Sequence, residues 1–304
     1  VRRVPCRFPA TRRSLAVLVG VVLALVGTVG TAGTALADDT EQAGRYVALG
    51  DSYSAGPLVP PQTGQPAGCL RSGSNFPSVV AEGTGATDFV DVSCSGATTA
   101  DFTAPQKVTF GENPAQFDAL TGTEDLVTFT IGGNDIGFGE IIQECALRSP
   151  QQPLGAACRD FYGDQLNQRI AETAPKIVAA LGAIGTRSPG ARVAVVGYPA
   201  LLPDEGPGCF PVVPFSPGDV AWLRGIEKDL NAMLGAQASA SGATYVDTYT
   251  PTIGHDMCRL PGVKWIEGLL PTSPAAPVHP NAQGMEAMGA AVLAALGAPI
   301  PAAA

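Results

Sequence analysis

The sequence predicts an α/β protein, a three-layer α/β/α sandwich built on a flavodoxin-like, five-stranded parallel sheet. Short apolar runs rich in β-branched residues recur at 45–49, 88–92, 125–131, 192–196 and 244–246. Their length and composition suit strands buried on both faces. Helical patterns fall at 76–82, 160–185 and 217–240, with a last one at 281–296. Strands alternating with helices argue for parallel pairing with helices on both sides of the sheet, and five such strands match the flavodoxin-like arrangement.

Residues 1–37 read as a leader ahead of a single domain at 38–304. Arg2, Arg3, Arg7, Arg12 and Arg13 form a basic start, an uncharged run covers 15–29, and Ala35-Leu36-Ala37 supplies an A-x-A cleavage pattern. A retained anchor is disfavoured, because the strongly apolar part falls short of the ~20 residues that a membrane span needs. Arg12-Arg13 leaves the twin-arginine and general secretory routes both open. The expectation is a secreted, extracellular protein, a monomer, with no stable membrane insertion after cleavage.

Charge and cysteine usage narrow the function classes. Of 27 acidic and 18 basic residues, five arginines fall in the leader; 13 basic residues then remain, for a net charge of about −14. No basic stripe is left to meet phosphates, so a nucleic-acid partner is not expected. Cys6 goes with the leader, leaving Cys69, Cys94, Cys145, Cys158, Cys209 and Cys258. In an exported chain these imply disulfides, in a pairing that composition leaves open. A zinc site is disfavoured: there is no C-x-x-C pair, and only His255 and His279 could add imidazole. No metal and no cofactor are expected.

The first strand runs into Gly50-Asp51-Ser52. Glycine permits a turn that a Cβ would block, and Ser52 lands at the strand's carboxyl end, where open α/β sheets bind ligands. A hydroxyl there is placed to be a nucleophile. Long Pro- and Gly-rich stretches at 57–75, 143–158 and 201–217 each carry cysteine and read as walls or lids of a site. After the second strand comes Cys94-Ser95-Gly96-Ala97-Thr98-Thr99, in which Gly96 offers a bare backbone N–H. After the third comes Ile131-Gly132-Gly133-Asn134-Asp135, whose Asn134 amide can donate to a developing oxyanion. Ahead of the last helix lies Pro277-Val278-His279-Pro280-Asn281, with His279 as a general base. Taken singly, Gly96 reads as a turn glycine, Asn134 as an Asx turn or cap, and His279 as a loop residue. Together, in this order and at these strand ends, they point to acyl transfer.

This combination resembles the SGNH, or GDSL, hydrolase family, closest to the secreted actinobacterial esterases and lipases with six cysteines. The likeness spans nearly all of 38–304. It implies Ser52 as nucleophile, His279 as base, and an oxyanion hole made of the Ser52 and Gly96 backbone N–H groups and the Asn134 side chain. It also implies the pairings Cys69–Cys94, Cys145–Cys158 and Cys209–Cys258. One departure stands out. Many members carry an acid three residues before the histidine, and that position here is Ala276. By resemblance to relatives that use a dyad, the Ala276 backbone carbonyl is expected to accept the Nδ1–H of His279; Glu286 and Asp256 are the alternatives that would restore a triad.

Other residues read more plainly. His255 is expected to be a surface residue of a disulfide loop, Asp51 and Asp135 to brace their turns, and Trp222 and Trp265 to pack. The expected activity is hydrolysis of a lipid or small ester: a fatty-acyl ester, acylglycerol or phospholipid. A carbohydrate acetylesterase on the same fold, with a polar cleft, is the alternative, and a non-catalytic binding module the remote one.

Overall fold

The structure, a computed structural model, describes residues 44–298; the expected leader lies outside them. Its strands are β1 (Arg45–Gly50), β2 (Asp88–Asp91), β3 (Gln106–Val108), β4 (Gly111–Asn113), β5 (Leu126–Thr130), β6 (Arg192–Val196) and β7 (Thr244–Val246). Five of them form one parallel sheet in the order β2-β1-β5-β6-β7. β1 and β5 lie inside the sheet, and their apolar composition follows from that: Val47 sits between Val90 and Val127, and Tyr46 to Leu49 have no solvent exposure. The switch of direction from β1 outward to β2 on one side and β5 on the other leaves a crevice at the carboxyl ends of these strands.

The helices are α1 (Ser52–Ala55), α2 (Phe76–Thr84), α3 (Phe138–Arg148), α4 (Ala157–Tyr162), α5 (Gln165–Arg187), α6 (Pro217–Ala240), α7 (Tyr249–Thr252) and α8 (Ala282–Leu296). α2 packs on α8 and α5 on α6, completing three layers around one core. Beyond α1, side chains cap three of these helices: Asn75 accepts from Ser78 N–H at 3.0 Å, Ser216 from Asp219 N–H at 3.4 Å, and Asn281 from Gly284 N–H at 3.2 Å. Each satisfies an orphan donor of a helix start.

Three features depart from the sequence expectation. The stretch 143–158, read as a loop, is largely helical: α3 runs to Arg148 and α4 begins at Ala157. Ile141, Ile142 and Cys145 bury one face of α3, a stripe too short to stand out from its Glu- and Gln-bearing flank. The helix expected over 160–185 is two helices, because Gly163 stops α4 at a φ of 51°. The hairpin β3–β4 was not anticipated, its strands being three residues long.

The disulfides Cys69–Cys94, Cys145–Cys158 and Cys209–Cys258 are all formed. The first ties the segment after α1 to the loop after β2, both at the carboxyl edge of the sheet. The second joins α3 to α4.

Candidate active site

Ser52 is the first residue of α1, and the turn that delivers it is held from several sides. Gly50 has a φ of 125°, and a Cβ there would lie 2.4 Å from Ser54 Oγ and 2.5 Å from the Thr130 carbonyl; only glycine fits. Gln116, fully buried, clamps the same residue: Gly50 N–H donates to its Oε1 at 2.7 Å and its Nε2 donates to the Gly50 carbonyl at 3.0 Å. Asp51 caps α1, accepting from Tyr53 N–H at 2.8 Å.

His279 Nε2 lies 2.7 Å from Ser52 Oγ, and its Nδ1 lies 2.7 Å from the carbonyl of Pro277. A carbonyl only accepts, so Nδ1 carries the proton and Nε2 is left free to take one from the serine. The Ala276 carbonyl expected in that role is engaged elsewhere: it accepts the His279 backbone N–H at 3.2 Å. This bond closes a turn over 276–279 with Pro277 and Val278 in the middle and Val278 at a φ of 62°, the dihedral signature of a type II turn. Closing the turn commits the carbonyl three residues back to the backbone, and the one two residues back meets the imidazole.

The histidine loop is braced at both ends. Tyr53 Oη donates to the Val278 carbonyl at 2.7 Å, and its ring lies 4.8 Å from that of His279. Glu267 N–H donates to the His279 carbonyl at 2.9 Å, while the Glu267 carboxylate accepts from Asn281 at 3.0 Å and pairs with buried Lys264 at 2.7 Å. Burial disfavours charge on Glu267, but the Lys264 and Asn281 side chains and the Thr272 N–H outweigh it and hold its pKa below the usual glutamate value. His279 is shifted the other way: burial lowers its pKa from 6.5, only partly offset by the bond to Pro277.

Opposite the histidine, Gly96 (φ 81°) and Asn134 line the same cleft as Ser52 and His279, a space of about 390 Å³. Asn134 Nδ2 donates one hydrogen to the Ala97 carbonyl at 2.9 Å, which orients the amide and leaves its second hydrogen for a ligand. Among the described residues, neither the Ser52 nor the Gly96 backbone N–H has a protein acceptor. Asp135 does not face the cleft chemistry; it accepts from Thr99 N–H at 2.9 Å and Thr99 Oγ1 at 2.6 Å, tying the Gly96 loop to the Asn134 loop.

Sequence reasoning missed Tyr198. Its hydroxyl donates to Asp51 Oδ2 at 2.6 Å and accepts from Gly133 N–H at 2.7 Å, linking the nucleophile turn to the loop that carries Asn134. Burial raises the Asp51 pKa to about 7, with the bonds from Tyr198 and Tyr53 N–H working against it. The signal was available in Gly197-Tyr198-Pro199, a break at the carboxyl end of the fourth sheet strand, where site residues gather.

The alternative acids lie elsewhere. Asp256 binds Arg259 at 3.0 Å and Cys258 N–H at 3.0 Å, and Glu286 is exposed on α8. His255 Nδ1 donates to the Val263 carbonyl of its own loop at 2.6 Å, and its ring stacks on Trp265 at 3.4 Å. Trp222 stacks on Tyr162.

Residues 48–287 match the GDSL-like Lipase/Acylhydrolase family. The chain is 42% identical over 301 residues to Lipase 2 of Streptomyces coelicolor, covering 95% of this chain and 98% of that one. Among solved structures it is similar to phospholipase A1 from Streptomyces albidoflavus (27% identity, TM-score 0.68) and to an extracellular lipase from Streptomyces rimosus (29% identity, TM-score 0.68). Each comparison covers 84% of this chain and 98% of the other.

Proposed function

The chain belongs to the GDSL-like lipase/acylhydrolase family and is a carboxylic ester hydrolase; from that premise we propose that it cleaves lipid esters through an acyl-enzyme on Ser52, served by a Ser52–His279 dyad. The observation that carries the reading is the 2.7 Å contact from Ser52 Oγ to a His279 whose other nitrogen is fixed on a backbone carbonyl. Ser52 Oγ attacks the acyl carbonyl as Nε2 takes its proton. The carbonyl oxygen, now negative, is met by the Ser52 and Gly96 N–H groups and the free hydrogen of Asn134. The imidazolium gives its proton to the departing alcohol, and a water deprotonated by His279 then releases the acid. The Pro277 carbonyl fixes the tautomer without adding a charge.

The walls of the cleft support an apolar acyl group. Pro57, Leu70, Phe138, Ile142 and Leu269 line it, and a neighbouring cavity of about 50 Å³, walled almost wholly by apolar side chains, shares Gly133, Phe138, Ile142 and Tyr198 with it. Such a wall suits a hydrocarbon tail and disfavours the polysaccharide alternative. Secretion and a monomeric state belong to the same proposal; no helix among the described residues is long and apolar enough to cross a membrane.

Ser52→Ala and His279→Ala are expected to lose hydrolysis of p-nitrophenyl esters while melting as the parent does. A fluorophosphonate should label the parent at Ser52 and leave Ser52→Ala unlabelled. Residual turnover above a few per cent in either folded variant refutes the assignment.

A further inference from the structure

Among the described residues, four residues other than glycine have left-handed backbone φ: Leu58 (63°), Leu70 (54°), Phe110 (64°) and Val278 (62°). Bulky side chains disfavour this conformation, which turns ordinarily give to glycine or asparagine. All four are large and apolar; two line the catalytic cleft and two lie in segments next to its wall. Leu70 and Val278 line the catalytic cleft, as do Pro57 and Leu269, the neighbours of Leu58 and Leu270. Phe110 is the tip of the β3–β4 hairpin, which rests on residues 66–68: a Cβ on Gly68 would meet the Thr109 carbonyl at 2.2 Å, and one on Gly111 would meet Pro66 at 2.9 Å. Two residues further on, Leu70 forms the cleft wall.

Three of these rim side chains face solvent. Phe110 is 92% exposed, Leu270 86% and Leu58 49%. A phenylalanine at a strained hairpin tip, covering nothing, serves neither the turn nor the core. A second observation is independent of backbone strain. Residues 52–70 and 268–285, the two stretches that flank the cleft, contain no Asp, Glu, Lys or Arg, although 15% of the chain is charged and about five would be expected there. These two stretches can enter an apolar phase with no charge to desolvate; the hairpin that carries Phe110 sets Lys107 opposite Glu112 behind its tip, a pair with no net charge.

We propose that Leu58, Phe110 and Leu270 form a docking rim that inserts into the surface of a zwitterionic lipid aggregate and presents the cleft to it. The inference rests on the lipid-ester reading above and deepens it: the substrate is met at an interface rather than as a free molecule. Apolar insertion, not charge, drives the contact, because the rim is neutral and the chain is net acidic. A protein partner seated on the same rim would cover the mouth of the site.

The test uses the Ser52→Ala protein, so that binding is read without hydrolysis, and phosphatidylcholine vesicles in a flotation assay at low and high salt. The parent should float with the vesicles, equally at both salts. Phe110→Asn combined with Leu58→Asn should reduce partitioning about tenfold or more, the loss of two inserted apolar side chains, with a melting temperature equal to or above the parent's because asparagine tolerates positive φ. Phe110→Trp should retain binding. In active protein, the ratio of emulsified triacylglycerol hydrolysis to soluble p-nitrophenyl butyrate hydrolysis should fall by the same factor in the Asn variant. A parent that stays in solution, a double variant that floats as well as the parent, a Phe110→Trp that loses binding with it, or binding confined to anionic vesicles and abolished by salt would each overturn the proposal. Failure of the active protein on the soluble ester would instead count against the function reading and leave the flotation result intact.

Discussion

Two effects of different sign act on His279, the proposed base. Burial disfavours its imidazolium and lowers the pKa from 6.5, while the Pro277 carbonyl favours the Nδ1–H form and raises it, with burial the larger. In the proposed mechanism the unprotonated ring is the active one, so activity falls as acid protonates it. The acid limb of kcat/KM is expected to have its midpoint below 6.5, measured on a soluble ester across that range; a midpoint above 6.5 would mean that an unseen anion faces the ring. The proposed dyad makes a companion prediction. Glu286→Gln and Asp256→Asn should each keep most of kcat, since neither carboxylate meets the imidazole; loss of a true triad acid costs about 10⁴-fold. An amide variant that matches His279→Ala in a folded protein would reveal a hidden triad. Ser52, Gly96, Asn134 and His279 could all be picked out by residue type and position at strand ends. Pro277 could not, because backbone acceptors carry no sequence signature and a one-residue shift in a turn changes which carbonyl faces the ring.

At the scale of elements, the loops around the sheet edge do the positioning, and the disulfides hold them. Cys209–Cys258 closes the longest interval, 49 residues, joining the segment ahead of α6 to the one that leads to the histidine loop. Its double serine variant should unfold at a visibly lower temperature, by an amount of order 3–4 kcal/mol; an unchanged melting temperature would show that the loops are held by packing alone. The β strands were legible because a strand buried on both faces reads as a continuous apolar run. α3 was not, since only one face of three turns is buried and its polar flank resembles loop composition. The pairing of the cysteines was legible only through family resemblance, as spacing does not restrict it.

Over the whole molecule, buried carboxylates set the response to acid. Glu124 bonds Arg45 at 3.2 Å, Ser188, and the Thr121 hydroxyl and backbone N–H, joining the start of β1 to the end of α5. Burial opposes its charge, but the bonds from Ser188 and from the Thr121 N–H and hydroxyl prevail and pull its pKa from 4.5 to about 2. A carboxylate depressed on folding contributes stability above its unfolded pKa and loses it as pH falls toward the folded one. Glu124→Gln should therefore destabilise the protein at pH 7 by about 3 kcal/mol, and the difference in melting temperature should shrink between about pH 4.5 and 2. A difference that does not depend on pH would assign the loss to geometry instead of charge.

The sequence by itself determined the fold class and the parallel sheet, and it pointed to the proposed nucleophile, base and oxyanion donors, because each depends on local chemistry: apolar runs, glycines at turns, reactive groups at strand ends. Tertiary structure decided the Pro277 acceptor, the Tyr198 link between Asp51 and Gly133, and the seating of the β3–β4 hairpin on residues 66–68 beside the cleft wall. Those arise from contacts between segments distant in the chain, and from backbone dihedrals set by packing, for which no local pattern codes.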